Sequence, residues 1–464
     1  MAIVVTVMVL VGSLYILVYF QSEEDRNTAW APKVAVVVGL TLSCLLVLML
    51  PLDVANRSSA GGLPMDILWQ IMYVAVAVMC IGVVPFLMFY YEAWDPESNN
   101  WQLWVAIKYE LCAIVVVGAT CLLMWLALGY ANVPLDEFSY NTTLLPAAAS
   151  TSCVASTCAG AATPTSLRVS VTPAVYLVAL VAFVGWFLFA IFVGVGLVAL
   201  PMDLIGEYAR RPQPIDLEEY AKQRMILNER TKQLMEVAQK LGLDAHRRRD
   251  RGSVKKFNQF RQAVYFLDKD WAKVKMAYKE RGGNPLTWLC SAFLGVLSAG
   301  LSCAWYLHVV LYLFISPPPT IFLNAFFIEL DGVFPLFGTA LYGLFSFYLL
   351  ACVLKGCMKV GLRFFWIPIH PMKIGATLMN SFLFNVWLLL LCGVACVQFC
   401  FSAFQSYAQL TAIDMLLGVQ VRNLQGLSWF FQNGVFYYCM AGVSALTLVY
   451  LCAFPTDKRA LDDD

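Results

Sequence analysis

Nine stretches of mainly apolar residues, each close to the length a bilayer demands, constrain this 464-residue chain more than any other feature. They run at about 1–20, 33–52, 67–91, 103–130, 173–200, 286–314, 335–354, 376–402 and 434–454. A helix rising about 1.5 Å per residue needs about 20 residues to cross about 30 Å of hydrocarbon. No water reaches backbone N–H and C=O groups there, so each stretch is expected to be helical. Composition agrees, because 60% hydrophobic and 13% charged residues leave too few polar side chains to coat a water-soluble surface. The expected fold class is an all-α polytopic membrane protein of nine transmembrane helices, five before and four after one long polar interval. Met1 to Phe20 reads as a retained first span, since it lacks a basic leader and is followed by Gln21-Ser-Glu-Glu-Asp25 instead of a cleavage site.

The polar interval runs from Gly206 to Pro285 and holds 19 of the 31 Lys and Arg residues. On alternate sides of the nine-span arrangement, 28 basic residues share its side and three, Arg57, Arg168 and Arg422, lie on the other. Long loops are discounted in the positive-inside rule, yet without those 19 the balance is still 9 against 3. The interval is therefore expected in the cytosol, with the N-terminus outside or lumenal and the tail 455–464 cytosolic. The two Asn-x-Ser/Thr acceptor patterns, at Asn56 and Asn141, both fall on the outer side, where N-glycosylation takes place. Three regions follow: spans one to five in 1–205 with an outer loop 131–172, the cytosolic loop 206–285, and spans six to nine in 286–454.

Within the cytosolic loop, apolar residues recur at near-helical spacing from Leu217 through Tyr220, Leu227, Leu234 and Val237 to Leu241. A second such run extends from Val254 through Phe257, Phe260, Val264, Leu267, Trp271 and Val274 to Tyr278. Two amphipathic helices joined by a polar turn predict an antiparallel hairpin. Arg247, Arg248 and Arg249 at its tip suit either an acidic partner or anionic lipid, or form a plain solvated turn. The outer loop 131–172 is rich in Ala, Ser, Thr and Pro, a composition that does not bury a core. It holds the only two cysteines that share a polar loop, Cys153 and Cys158, read as a small disulfide staple. Residues 316–334, after a Pro-rich break, are apolar but too short to cross and are read as an interfacial segment whose Glu329 and Asp331 are hydrated.

Ionisable residues deep in a bilayer mark ion and proton pathways, and the spans contain almost none. Span eight is the most polar, with Asn380, Asn385 and Gln398, plus a Cys392, Cys396, Cys400 stripe one turn apart. These suit a polar pathway, or close helix packing with interhelical hydrogen bonds; three Cys on one face do not complete a tetrahedral metal site. His308 reads as a packed residue, and Cys357, between Lys355 and Lys359, as a juxtamembrane palmitoylation candidate. Phosphate-loop, zinc-protease and nucleophile-elbow motifs are absent, so the expectation is no enzyme, no cofactor and no metal.

Six runs together resemble the LMBR-like membrane protein family, in particular its lipocalin-interacting membrane receptor (LIMR) branch of plants and protists. They are Leu50-Pro-Leu-Asp-Val-Ala-Asn-Arg57, Phe89-Tyr-Tyr-Glu92, Ala199-Leu-Pro201, Ala209-Arg-Arg-Pro212, Pro317-Pro318 with Phe322-Leu-Asn324, and the most specific, His370 to Asn385. The resemblance implies nine spans, a coiled-coil-like cytosolic loop, and roles in ligand uptake or in escorting other membrane proteins. The expected function is thus a multi-span receptor or trafficking escort that binds partner proteins through 206–285. A channel or transporter for an uncharged or lipid-like solute, lined by span eight, is the alternative. The expected surroundings are the lipid bilayer and membrane or cytosolic proteins, with no nucleic acid.

Overall fold

The computed structural model describes residues 2–22, 25, 30–58, 62–93, 102–138, 162–245, 251–315, 317–360, 363–364, 367–368 and 377–453. Its helices are α1 (Ala2–Phe20), α2 (Trp30–Ser58), α3 (Met65–Val78), α4 (Val84–Glu92), α5 (Gln102–Leu128), α6 (Pro173–Ala209) and α7 (Leu217–Ala245). They continue with α8 (Arg251–Lys279), α9 (Pro285–His308), α10 (Phe322–Val333), α11 (Phe337–Val360), α12 (Met379–Ala403), α13 (Ser428–Gln432) and α14 (Val435–Ala453). Eight helical stretches among the described residues are long and apolar enough to cross a membrane. The expected first span, α1, is apolar over Val4–Phe20 and is not among those eight. It nonetheless packs on α2, burying Leu17 and Phe20, with Thr41 Oγ1 donating to Ser13 Oγ at 3.2 Å.

The chain divides into two compact units. The first comprises Met1–Leu197 and Cys303–Ala445, and its centre is α12. This helix is buried on every face, from Met379 through Leu390, Cys392, Cys396 and Val397 to Phe401, as an all-round apolar helix in a bundle should be. It packs against α2, α11 and α4. In contrast, α5 buries only Ala106 and Glu110 and turns its remaining faces outward. Small residues bring α6 and α11 together: a Cβ on Gly196 would collide with the Cys352 carbonyl, and one on Gly356 with that of Phe192. Between α3 and α4 a π turn, Met79–Val83, takes the Cys80 carbonyl out of the helical ladder. Trp387 of α12 satisfies it, its indole donating at 2.8 Å.

The loop 131–172 departs from the composition-based reading. Its two ends form an antiparallel hairpin, β1 (Tyr130–Phe138) with β2 (Ala162–Ser170), in which Tyr130 faces Ser170 and Phe138 faces Ala162. Bonding between Val171 N and Gly129 O, with Asn132 N turned outward to Asn423 O, sets the phase of the ladder. Pro134 and Pro164 therefore both fall at positions where a missing N–H costs no cross-strand bond. The Arg168 guanidinium lies over the Tyr130 ring, 3.3 Å from its centroid.

The second unit comprises Val198–Ser302 and Leu446–Asp464 and contains the α7/α8 pair. Tyr220 stacks on Tyr278 at 4.2 Å and Arg230 meets Asp270 at 4.0 Å, so the residue numbers rise on one helix as they fall on the other. That is the expected antiparallel hairpin, and Leu227 and Ala277 are buried in it. Helix α7 runs on through Gly242, past its expected end at Leu241, while Leu217, Val237 and Val264 of the expected apolar stripes point outward.

Candidate functional site

The last four carbonyls of a helix have no partner within it, and α12 ends inside protein, so other elements must supply donors. His308, fully buried at the end of α9, donates from Nε2 to the Ala403 carbonyl at 2.8 Å. Its ring is held flat between Tyr312, at 5.1 Å, and Phe404, at 5.0 Å. Asn324 of α10 reaches the same carbonyl through Nδ2 at 3.4 Å and accepts the Tyr407 N–H through Oδ1 at 3.1 Å. One side chain thus spans the turn that leaves α12.

Two carboxyl groups hold the next segment. Asp331 Oδ2 accepts the Tyr407 hydroxyl at 2.5 Å, while Oδ1 accepts the N–H groups of Gly338, at 2.8 Å, and Thr339, at 3.3 Å. Asp331 is therefore the cap of α11 and not the hydrated interfacial acid expected from its apolar, short segment. Burial first, and then the Asp331 carboxylate that it bonds, raise the Tyr407 phenol above its usual range and keep it a donor. Asp53, 2% exposed at the end of α2, accepts from Trp69 Nε1 at 2.9 Å, Ile413 N at 3.0 Å and Ala412 N at 3.3 Å.

The opposite end of α12 is held by the same means. Asp25 Oδ2 accepts the Met379 N–H at 2.9 Å, and its Oδ1 accepts the Tyr91 hydroxyl at 3.2 Å. Negative charge at a helix N-terminus is favourable, and here it also ties the chain after α1 to α4. Asn380 Nδ2 donates to Glu92 at 3.3 Å, and Thr377 exchanges backbone bonds with Phe20 and Ser22 at 3.1 Å each. The central helix is thus clamped at both termini by polar groups from α2, α4, α9, α10 and the segment after α1.

The polar residues of span eight, weighed above as a pathway or as helix packing, have separate partners. Gln398 accepts the Trp186 indole N–H from α6 at 2.8 Å, an interhelical bond of the expected kind. Asn380 serves the clamp, whereas Asn385 Nδ2 turns back to the Ser381 carbonyl of its own helix at 2.7 Å. Cys392, Cys396 and Cys400 are buried packing residues, and no group of three or more metal-ligating side chains occurs among the described residues. Cys357, the acylation candidate, is 2% exposed. Asn56 belongs to the last turn of α2, not to a loop, and its amide exchanges bonds with the Leu63 backbone at 3.1 and 3.3 Å. Asn141, Cys153, Cys158, Arg247, Arg248 and Arg249 lie outside the described residues. Sequence reasoning missed the roles of Asp25, Asp53, Asn324 and Asp331, although Asp53 and Asn324 lie in two of the family-like runs, Leu50-Pro-Leu-Asp53 and Phe322-Leu-Asn324.

A family model described as LMBR1-like membrane protein matches residues 1–281 and 282–452, nearly the whole chain. The chain belongs to the LMBR1-like membrane protein family. Among similar proteins, a LIMR family protein of Dictyostelium discoideum is 37% identical over 510 residues, covering 99% of this chain and 97% of the relative. A LIMR family protein of rice is 37% identical over 495 residues, covering 99% and 96%. One of Arabidopsis thaliana is 35% identical over 483 residues, covering 98% and 95%. No solved structure matches this LMBR1-like chain.

Proposed function

We propose that this LMBR1-like protein is a membrane receptor or trafficking escort that captures partner proteins through the α7/α8 hairpin of its 206–285 loop. In this reading the loop and C-terminus are cytosolic and the N-terminus lies outside or in a lumen, as the distribution of basic residues favours. The observation that carries the proposal is the burial of α12 on every face among the described residues. The space beside Asn385 and Cys357 is about 10 Å³, about the least that seats one water, so a solute path along this helix has little support. The hairpin, by contrast, offers two long charged helices with Met225, Ile226 and Tyr265 exposed.

Deleting Gln213 to Gly283 is expected to abolish partner capture in proximity labelling while the spans still insert. Retention of every wild-type partner by the deletion variant overturns the proposal. Orientation has its own test: a glycosidase-sensitive mass shift lost in Asn141→Gln supports it, and a glycan on an acceptor site engineered beside Gly242 refutes it. For the alternative of a solute path, Asn380→Leu and Asn385→Leu would have to stop flux in reconstituted vesicles.

A further inference from the structure

A cleft of about 280 Å³ lies between α5, the first turns of α6 and the π turn of residues 79–83. Ile81, Ile114, Gly118, Cys121, Trp125 and Tyr176 shape it. From Ile114 to Trp125 it follows α5 for about 16 Å, roughly the hydrocarbon depth of one leaflet. Because α5 buries only Ala106 and Glu110 and turns its other faces to the surroundings, whatever fills the cleft enters from lipid and not from water.

The lining is apolar with one conspicuous unmet demand. Tyr176 is 1% exposed, and its hydroxyl has no hydrogen-bond partner among the described residues. Cys121, the other polar group of the lining, is a weak partner at best. The Trp125 indole is already taken, donating to the Val171 carbonyl at 2.9 Å. Tyr176 lies one turn into α6 from Pro173 and shares the lining with Trp125, near the C-terminal end of α5. A buried hydroxyl without a partner is unfavourable, and a ligand bringing one matching polar group there would relieve it.

We infer that this cleft binds a sterol-class lipid, with the sterol hydroxyl hydrogen-bonded to Tyr176 and its rigid apolar body lying along α5. A phospholipid chain offers no polar atom along its length. A sterol combines one hydroxyl with an apolar body that loses little conformational freedom on seating. The site is independent of the hairpin and of the clamps on α12.

Gly118, part of the lining, makes the inference testable, since a Cβ placed there meets nothing within 4 Å and a larger side chain would occupy the cleft. Glycine is also the poorest ordinary helix former, so Gly118→Leu favours folding of α5. The experiment uses the full chain in phosphatidylcholine vesicles with a photoactivatable cholesterol analogue, mapping labelled peptides by mass spectrometry. Label is expected on peptides of α5 and the start of α6, displaced by unlabelled cholesterol and not by added phosphatidylcholine. It should fall roughly tenfold in Gly118→Leu and roughly fivefold in Tyr176→Phe, the scale of one lost hydrogen bond. Glu110, buried one turn below Ile114 and outside the lining, supplies the control: Glu110→Gln should label as wild type. Undiminished labelling in Gly118→Leu or Tyr176→Phe overturns the inference, as does equal loss in Glu110→Gln. Labelling of the same peptides by a photoactivatable phosphatidylcholine that cholesterol fails to displace would assign the cleft to an acyl chain and overturn it as well.

Discussion

Replacing Asp53 by Ala removes one acceptor from three buried donors at once: the Trp69 indole at 2.9 Å and the N–H groups of Ile413 and Ala412 at 3.0 and 3.3 Å. Each buried donor left unmet costs about 1–3 kcal/mol, which gives a simple sum of about 3–9 kcal/mol. The donors lie at one end of the bundle, where the 404–413 segment can relax toward water, so the low end applies. The expected loss is about 3 kcal/mol, roughly a hundredfold in the folded-to-unfolded ratio. Asp53→Asn separates hydrogen bonding from shape, since its amide nitrogen would face donors and its single oxygen cannot serve all three. It should cost nearly as much as Ala. The assay is unfolding of the reconstituted protein followed by Trp fluorescence, with Trp69→Phe added to close a double-mutant cycle. Trp69→Phe should cost about 1 kcal/mol or more alone and much less on the Asp53→Ala background. An Asp53→Asn variant within about 0.5 kcal/mol of wild type, or an equal cost of Trp69→Phe in both backgrounds, would refute the clamp.

Other contacts give further expectations for the same unfolding assay. Gly196→Ala should destabilise by about 1–3 kcal/mol, because its Cβ has nowhere to go beside the Cys352 carbonyl; an unchanged midpoint would mean that α6 and α11 do not approach so closely. Gln398→Leu leaves the Trp186 indole without its acceptor and should cost about 1–3 kcal/mol, with Trp186→Phe recovering part of that loss. The Arg230–Asp270 pair, with side chains 43% and 21% exposed, should contribute less than about 1 kcal/mol. Tyr220→Ala, which breaks the Tyr220–Tyr278 stack, should open the hairpin to limited proteolysis far more than Arg230→Ala does.

Much of the architecture was legible in the residues because its causes are local. Hydrocarbon leaves a backbone no choice but the helix, so runs of about twenty apolar residues located the spanning stretches, and charge between apolar stripes located α7 and α8. The same reasoning failed where local composition and long-range pairing disagree. An Ala-, Ser-, Thr- and Pro-rich loop reads as coreless, yet its ends pair as β1 and β2, and Asn423 and Gln425 extend that pairing by bonding to Asn132 and Tyr130. Asp331 reads as a wet acid until Tyr407, 76 residues later in sequence, is brought to it.

By itself, then, the sequence determined the fold class, the hairpin and the candidate polar residues, since each follows from what a segment does with its own backbone and faces. Tertiary structure alone decided that α12 is the central helix while the equally apolar α5 faces outward. Lipid is as apolar as a leucine side chain, so hydropathy cannot rank helices by burial. Small residues such as Gly196 and Gly356, and polar bonds from Asp25, Asp53, His308 and Asn324, make that choice, and their partners lie far away along the chain.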